Sequence, residues 1–343
     1  MSRGRLQGLA RAGLGVLVSL VCLFLVVRGV DLGRTWDVLR GAHPAWVGLA
    51  VVALAGDVLL RGVRWQRLIA SIHRVAFPRL LAYMLVGYLA NNVLPARLGE
   101  LVRSHYLGDR EGISRTTTLG TVVVERVVDI AVLVGIAALA IFVLHVRGVV
   151  ASAVLLGLAV AGLLMLGLAL AVAAHRLPGA DRARELVARW PRARELVGKL
   201  RGGLAVAARP RTLAEAVFLS GLAWGCTVVA FAAAGQAVGI QLTTGEAALL
   251  AAGTNLATAI PSGPGYLGTF ELAGVRIAAA FGIGADPALA LTVLIHAGSL
   301  LLTSAGGAVA LVRLGWRTSP VDASARATAT VAESRPRVAR EGD

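Results

Sequence analysis

Charged residues at helical spacing inside otherwise apolar sequence are the part of this chain that could do chemistry. In VVVERVVDI, Glu125 and Asp129 lie four apart on one helical face, and Arg126 lies three before Asp129. Charges placed this way in a membrane span must point into a bundle, because each costs about 2.5–3.5 kcal/mol at the centre of a helix in lipid. Glu100 and Arg103 are three apart and can face one another on a short helix, with Arg97 just before them. Asp57, Arg61 and Arg64 repeat at four and three ahead of Trp65, although snorkelling to a membrane edge also accounts for the two arginines. Glu271 and Arg276 follow a glycine-rich turn, Pro261 to Gly268, whose backbone N–H groups at Gly265 and Gly268 could cradle an anion. His296 stands alone in the last apolar run and fits a satisfied core histidine or a proton relay. The chemistry these types suit is phosphate binding. A planar guanidinium holds phosphate through bidentate charge-assisted hydrogen bonds, while carboxylates keep it in position or meet a cationic headgroup.

The elements that must position these residues are membrane helices, two of them broken. The chain has 343 residues, 57% hydrophobic and 15% charged, with mean hydropathy +0.76, which implies an all-α polytopic transmembrane bundle. Runs near 12–28, 45–63, 116–144, 149–174, 213–238 and 286–312 are each long enough to cross a bilayer. Residues 80–94 and 246–260 are too short before Pro95 and Pro261 interrupt them. Each is read as the first arm of a re-entrant hairpin, with second arms at 98–110 and 264–283. Arginine blocks flank the first hairpin and uncharged connections flank the second, so the two are expected to open to opposite faces as a weak inverted repeat. Both termini are then cytoplasmic. The expected organisation is one transmembrane domain over 1–318: a first half at 12–174, a basic amphipathic cytoplasmic linker at 175–212 carrying the RARELVAR and RARELVGK repeat, and a second half at 213–317. Residues 319–343 have the composition of a disordered cytoplasmic tail.

The net charge of +15 comes from arginines in short blocks between apolar runs. That distribution suits loops touching anionic lipid and excludes nucleic acid as the partner. Cys22 and Cys226 both lie in apolar runs, which excludes a disulfide framework or a cysteine-ligated metal. No D-x-D pair, H-E-x-x-H, P-loop or nucleophile elbow occurs, and no metal or cofactor is expected.

The motifs, taken together, resemble a known family. Asn91, Leu94, Pro95, Arg97, Gly99, Glu100 and Arg103 are similar to the first signature of the lysylphosphatidylglycerol synthase transmembrane region. Glu125, Arg126 and Asp129 resemble its E-R-x-x-D signature, and Pro261, Pro264, Gly265, Gly268 and Glu271 its P-x-x-P-G-x-x-G-x-x-E signature. Arg61, Arg64 and Trp65 match a weaker R-x-x-R-W element, and Tyr266 departs from the pattern at a place where glycine is common. The resemblance implies a flippase-like protein of the cytoplasmic membrane that moves a phospholipid or lipid-linked headgroup, with an anionic or phosphate group as its ligand. Its substrate site would comprise Asn91, Arg97, Glu100, Arg103, Glu125, Arg126, Asp129, Pro261, Gly265, Gly268 and Glu271, with Arg61, Arg64, Arg276 and His296 as secondary candidates. The last span is followed by about 30 residues, so the aminoacyltransferase domain of the bifunctional relatives is expected to be absent and the protein not to be an enzyme. The alternatives are a membrane-embedded transferase or hydrolase acting on a lipid-linked sugar or phosphate, and an accessory subunit of a lipid-processing enzyme.

Overall fold

The structure, a computed structural model, describes residues 3–94, 98–146, 148, scattered positions between 152 and 166, 209–260 and 262–315. Its regular elements are α1 (Arg3–Val27), α2 (Leu32–Arg40), α3 (Pro44–Ala70), α4 (Phe77–Val93), α5 (Gly99–Glu111), α6 (Arg115–Leu144), α7 (Pro210–Ala237), α8 (Thr244–Ala257), a 3₁₀ turn at Pro264–Tyr266, α9 (Thr269–Ala279) and α10 (Ala285–Leu314). Among the described residues there is no strand. The expected span at 149–174, the linker and its repeat, the tail, Arg97 and Pro261 lie wholly or largely outside the described residues.

Local chemistry sets the boundaries. Proline opens α3, α4 and α7, where its missing N–H costs nothing. Thr243 and Glu246 form a reciprocal capping box at the start of α8. Asp31 accepts the N–H groups of Gly33 and Arg34 and so starts α2 after α1 has ended at Val27. The chain turns by 84° between the two helices. Leu94, which precedes Pro95, is extended, as steric contact with the proline ring demands, and α4 stops there.

Four helices, α3, α6, α7 and α10, are long and apolar enough to cross a membrane, and the bent pair α1–α2 makes a fifth candidate. Leu139, Phe142, Leu301 and Val312 project large apolar side chains outward from α6 and α10, the surface that lipid would cover. The main core lies between α3, α6, α7, α8 and α10, around Leu54, Phe231, Leu249, Leu250 and Leu291.

One order of elements occurs twice: a long helix, a short helix, a break, a short helix and a long helix, as α3–α6 and again as α7–α10. The packing repeats with it. α4 lies against α10 and α8 against α6; α4 pairs with α5 and α8 with α9; α3 and α7, the two opening helices, run along one another. The two segments expected to form hairpins are helix–break–helix units whose arms touch. The first is tight: a Cβ on Gly99 would sit 1.9 Å from the Gly87 carbonyl oxygen, an approach only glycine permits.

Candidate functional site

The charged side chains of α3, α5 and α6 assemble into a buried ladder of alternating sign. The Arg61 Nε lies 2.8 Å from Asp57, and its Nη1 donates to Asp129 at 3.1 Å. Arg64 grips the same Asp129 carboxylate with both terminal nitrogens, donates to the Ser220 hydroxyl, and lies 2.9 Å from Glu125. On its far side Glu125 meets Arg103 at 3.1 Å. The sequence Asp57–Arg61–Asp129–Arg64–Glu125–Arg103 therefore crosses three helices with each internal charge held between two of opposite sign.

Helical geometry explains why. Positions 57, 61 and 64 share one face of α3, positions 125 and 129 share one face of α6, and the two faces meet. Arg126, one step round from Glu125, points elsewhere and pairs with Glu100 of α5 at 2.7 Å. Aromatic rings cover two of the cations: Arg61 lies 4.3 Å over Trp224 and Arg103 4.9 Å over Trp65.

Three expectations need correction. Glu100 and Arg103 do not pair, although their spacing permits it, because each finds a better-placed partner on α6. Arg61 and Arg64 do not snorkel: Arg64 is 0% exposed and Arg61 9%, since two carboxylates on α6 and Asp57 offer compensation inside the bundle. The glycine turn offers less to an anion than its sequence suggests. The Gly268 N–H is taken by the Glu271 carboxylate at 2.6 Å, the Gly263 N–H by the Ser19 hydroxyl and the Tyr266 N–H by the Gly263 carbonyl.

In the second half the charge is sparse. Glu271 is buried, caps α9 through Gly268, and lies 2.5 Å from the Nδ1 of His296 on α10. Phe270 stacks on that imidazole with centroids 4.4 Å apart. Arg276 is exposed on α9 and takes no part.

The two breaks meet. A cavity of about 270 Å³ is lined by Asn91 and Asn92 from the first unit, Tyr266 and Phe270 from the second, Arg61, Arg126 and Asp129 from the ladder side, and His296. Asn91 holds the first break closed by accepting the Gly99 N–H at 2.8 Å. Asn92 donates to Thr303 and Ser304 of α10, and its carbonyl lies 3.6 Å from where a Gly265 Cβ would be. Glu271 draws its partner from α10 rather than from α5, and it reaches the cavity shared with the first unit only through that partner, His296. Sequence reasoning missed Ser220, Trp224, Asn92 and Phe270. Each acts across a helix contact that spacing along one segment does not report. Among the described residues, no group of three His, Cys, Asp or Glu side chains could hold a metal ion.

The family model described as the lysylphosphatidylglycerol synthase TM region matches residues 13–307. The chain belongs to that family. It is a multi-pass membrane protein, and the matched region contains every charged residue of the ladder together with Glu271 and His296. It is similar to the glycosyltransferase AglD of Haloferax volcanii, 27% identical over 341 residues, which cover 88% of this chain and 54% of the relative. It is also similar to UPF0104 membrane proteins of Methanocaldococcus jannaschii, 28% identical over 34% of this chain and 36% of the relative, and of Methanothermobacter thermautotrophicus, 29% identical over 33% and 35%. The chain thus spans about half the length of the first of these relatives, and the other two similarities cover about a third of each partner.

Proposed function

We propose that this protein is a flippase-like translocase of the cytoplasmic membrane, which passes the phosphate-bearing headgroup of a phospholipid or lipid-linked sugar through the cavity between its two broken helix pairs. The observation that carries this reading is the convergence of both breaks on one cavity with two guanidinium groups in its wall. Its volume is just below the about 300–1,000 Å³ of ligand clefts, which admits a phosphate and a small headgroup while the acyl chains stay in the bilayer. Non-helical backbone at membrane depth survives only against protein or beside a water-filled cavity, and each break here packs on protein and borders the cavity. The two helix–break–helix units act as re-entrant hairpins from opposite faces, related as an inverted repeat, with both chain termini in the cytoplasm. Arg61 and Arg126 contact the phosphate; Asp57, Glu100 and Asp129 hold them when no lipid is present. Arg97, beside the first break in sequence, is assigned to the same task.

A second reading follows from the name of one relative. AglD is a glycosyltransferase, which favours a lipid-linked sugar as substrate and admits either sugar-transfer chemistry in this chain or partnership with an enzyme that performs it. One experiment separates these: purified protein in liposomes that hold a fluorescent polyprenyl phosphate or phosphatidylglycerol. Leaflet exchange without chemical change supports the translocase, whereas a new glycosylated product formed from an added sugar donor supports the enzyme.

A further inference from the structure

We propose that Glu271 and His296 together form a proton-binding site whose occupancy decides whether the cavity accepts a phosphate. The inference rests on the translocase reading and supplies its coupling ion. Among the described residues, the ladder and the Glu100–Arg126 pair contain four arginines, 61, 64, 103 and 126, and four carboxylates, 57, 100, 125 and 129. Their charges sum to zero, so this part of the wall presents no net attraction to an anion. The pair at the second break then sets the sign of the cavity. Sharing one proton beyond the neutral imidazole's own, carboxylate and imidazole are neutral together, as an imidazolium–carboxylate or an imidazole–carboxylic acid. Without that proton the pair carries one negative charge beside the space a phosphate must enter.

The geometry suits one shared proton. The Glu271 oxygen and the His296 Nδ1 are 2.5 Å apart, both side chains are buried, and Phe270 covers one face of the imidazole. His296 and Phe270 line the cavity, so a proton leaving the pair enters that space directly. Among the described residues, the charged groups that α3 and α6 bring to the cavity, Asp57, Arg61, Arg126 and Asp129, have partners of their own. α4 brings Tyr88, and the 3₁₀ turn Tyr266. α7 and α8 bring no ionisable side chain to its lining, α1 places Cys22 against Gly268, and the Arg276 of α9 is exposed. α2 meets α10 at Asp286, which accepts the Asp31 N–H ten residues, about 15 Å, from His296. Glu271 also caps α9 through Gly268, so a change of charge on its carboxylate acts on the break itself.

The test uses full-length protein in nanodiscs of neutral lipid and, as probe, a fluorescent phosphatidylglycerol, whose phosphodiester keeps one negative charge throughout. Affinity is measured at a series of pH values from about 5 to about 9, which brackets the window in which histidine side chains change charge. Binding should weaken about tenfold as pH rises through the titration of the pair, the effect of one unit charge about 10 Å away at an effective dielectric of about 20. Glu271→Gln keeps an oxygen that accepts the Gly268 N–H and removes the negative charge of the emptied site; its affinity should stay high at the alkaline end, where the wild type has lost it. If that variant fails to fold, His296→Gln replaces it, and the pH midpoint must move. Wild-type binding that is tight but independent of pH overturns the proton site and spares the translocase reading, as does a Glu271→Gln response identical to wild type. No binding at any pH removes the phosphate-lipid reading and the proton site with it.

Discussion

The two broken helix pairs solve one problem, polar groups at membrane depth, in different ways. Around the first, charge is satisfied by charge: three helices contribute six side chains that alternate in sign, and Arg64 and Arg103 are almost wholly enclosed. Around the second, backbone is satisfied by side chain: Glu271 caps Gly268, Ser19 accepts the Gly263 N–H, and a single carboxylate–imidazole pair carries the only ionisable contact described there. The first arrangement holds each internal charge between two partners of opposite sign. The second rests on few contacts, and a proton or a small shift changes it.

The sharpest way to break this contrast is Asp129→Asn. It leaves Arg61 and Arg64 buried without their shared carboxylate, so the loss of stability should be about 3–5 kcal/mol, seen as collapse of folded yield and melting temperature in detergent. A mild effect would mean that the ladder's charges do not depend on that pairing. Gly268→Ala probes the second unit. The residue has φ +87° and its Cβ would lie 2.6 Å from the Ser19 carbonyl, so a loss of about 1–3 kcal/mol is expected. Thermal melts of the two variants should rank in that order.

Arg126→Ala separates structure from use. Its side chain is 34% exposed and pairs with the half-buried Glu100, so stability should fall by no more than about 1 kcal/mol while lipid exchange drops sharply. Unchanged exchange in the folded variant would remove Arg126 from the phosphate site. The smallest perturbation tests topology. Cysteines at His105 and Gln241, both exposed, should be labelled from the cytoplasm and from outside respectively, in variants with unaltered melting temperatures. Labelling of both from one face would end the inverted-repeat interpretation.

Much of the architecture was legible because proline and glycine mark breaks wherever an apolar run is too short. α4 and α8 end close to where Pro95 and Pro261 require, and the second arms begin a few residues later. The Asp57–Arg61 pair followed from its spacing of four. The partner of Arg103 did not, because Glu125 lies on another helix and a tertiary contact outcompetes a local one. Burial of Arg64 was hidden for the same reason: the residues enclosing it, Glu125, Asp129 and Ser220, are up to 156 positions away. Periodicity reports which face a residue occupies, and only packing reports what that face meets.

The alternating ladder also constrains how the chain enters the membrane during synthesis. α3 emerges from the ribosome carrying Asp57, Arg61 and Arg64, and neither Glu125 nor Asp129 exists until α6 has been made. At about 2.5–3.5 kcal/mol per charge, α3 alone is a poor candidate for release into lipid. Pairing with Glu125 and Asp129 of α6 offsets that cost. A nascent chain halted before Arg115 leaves Arg64 and Arg103 without the carboxylates that hold them in the folded bundle.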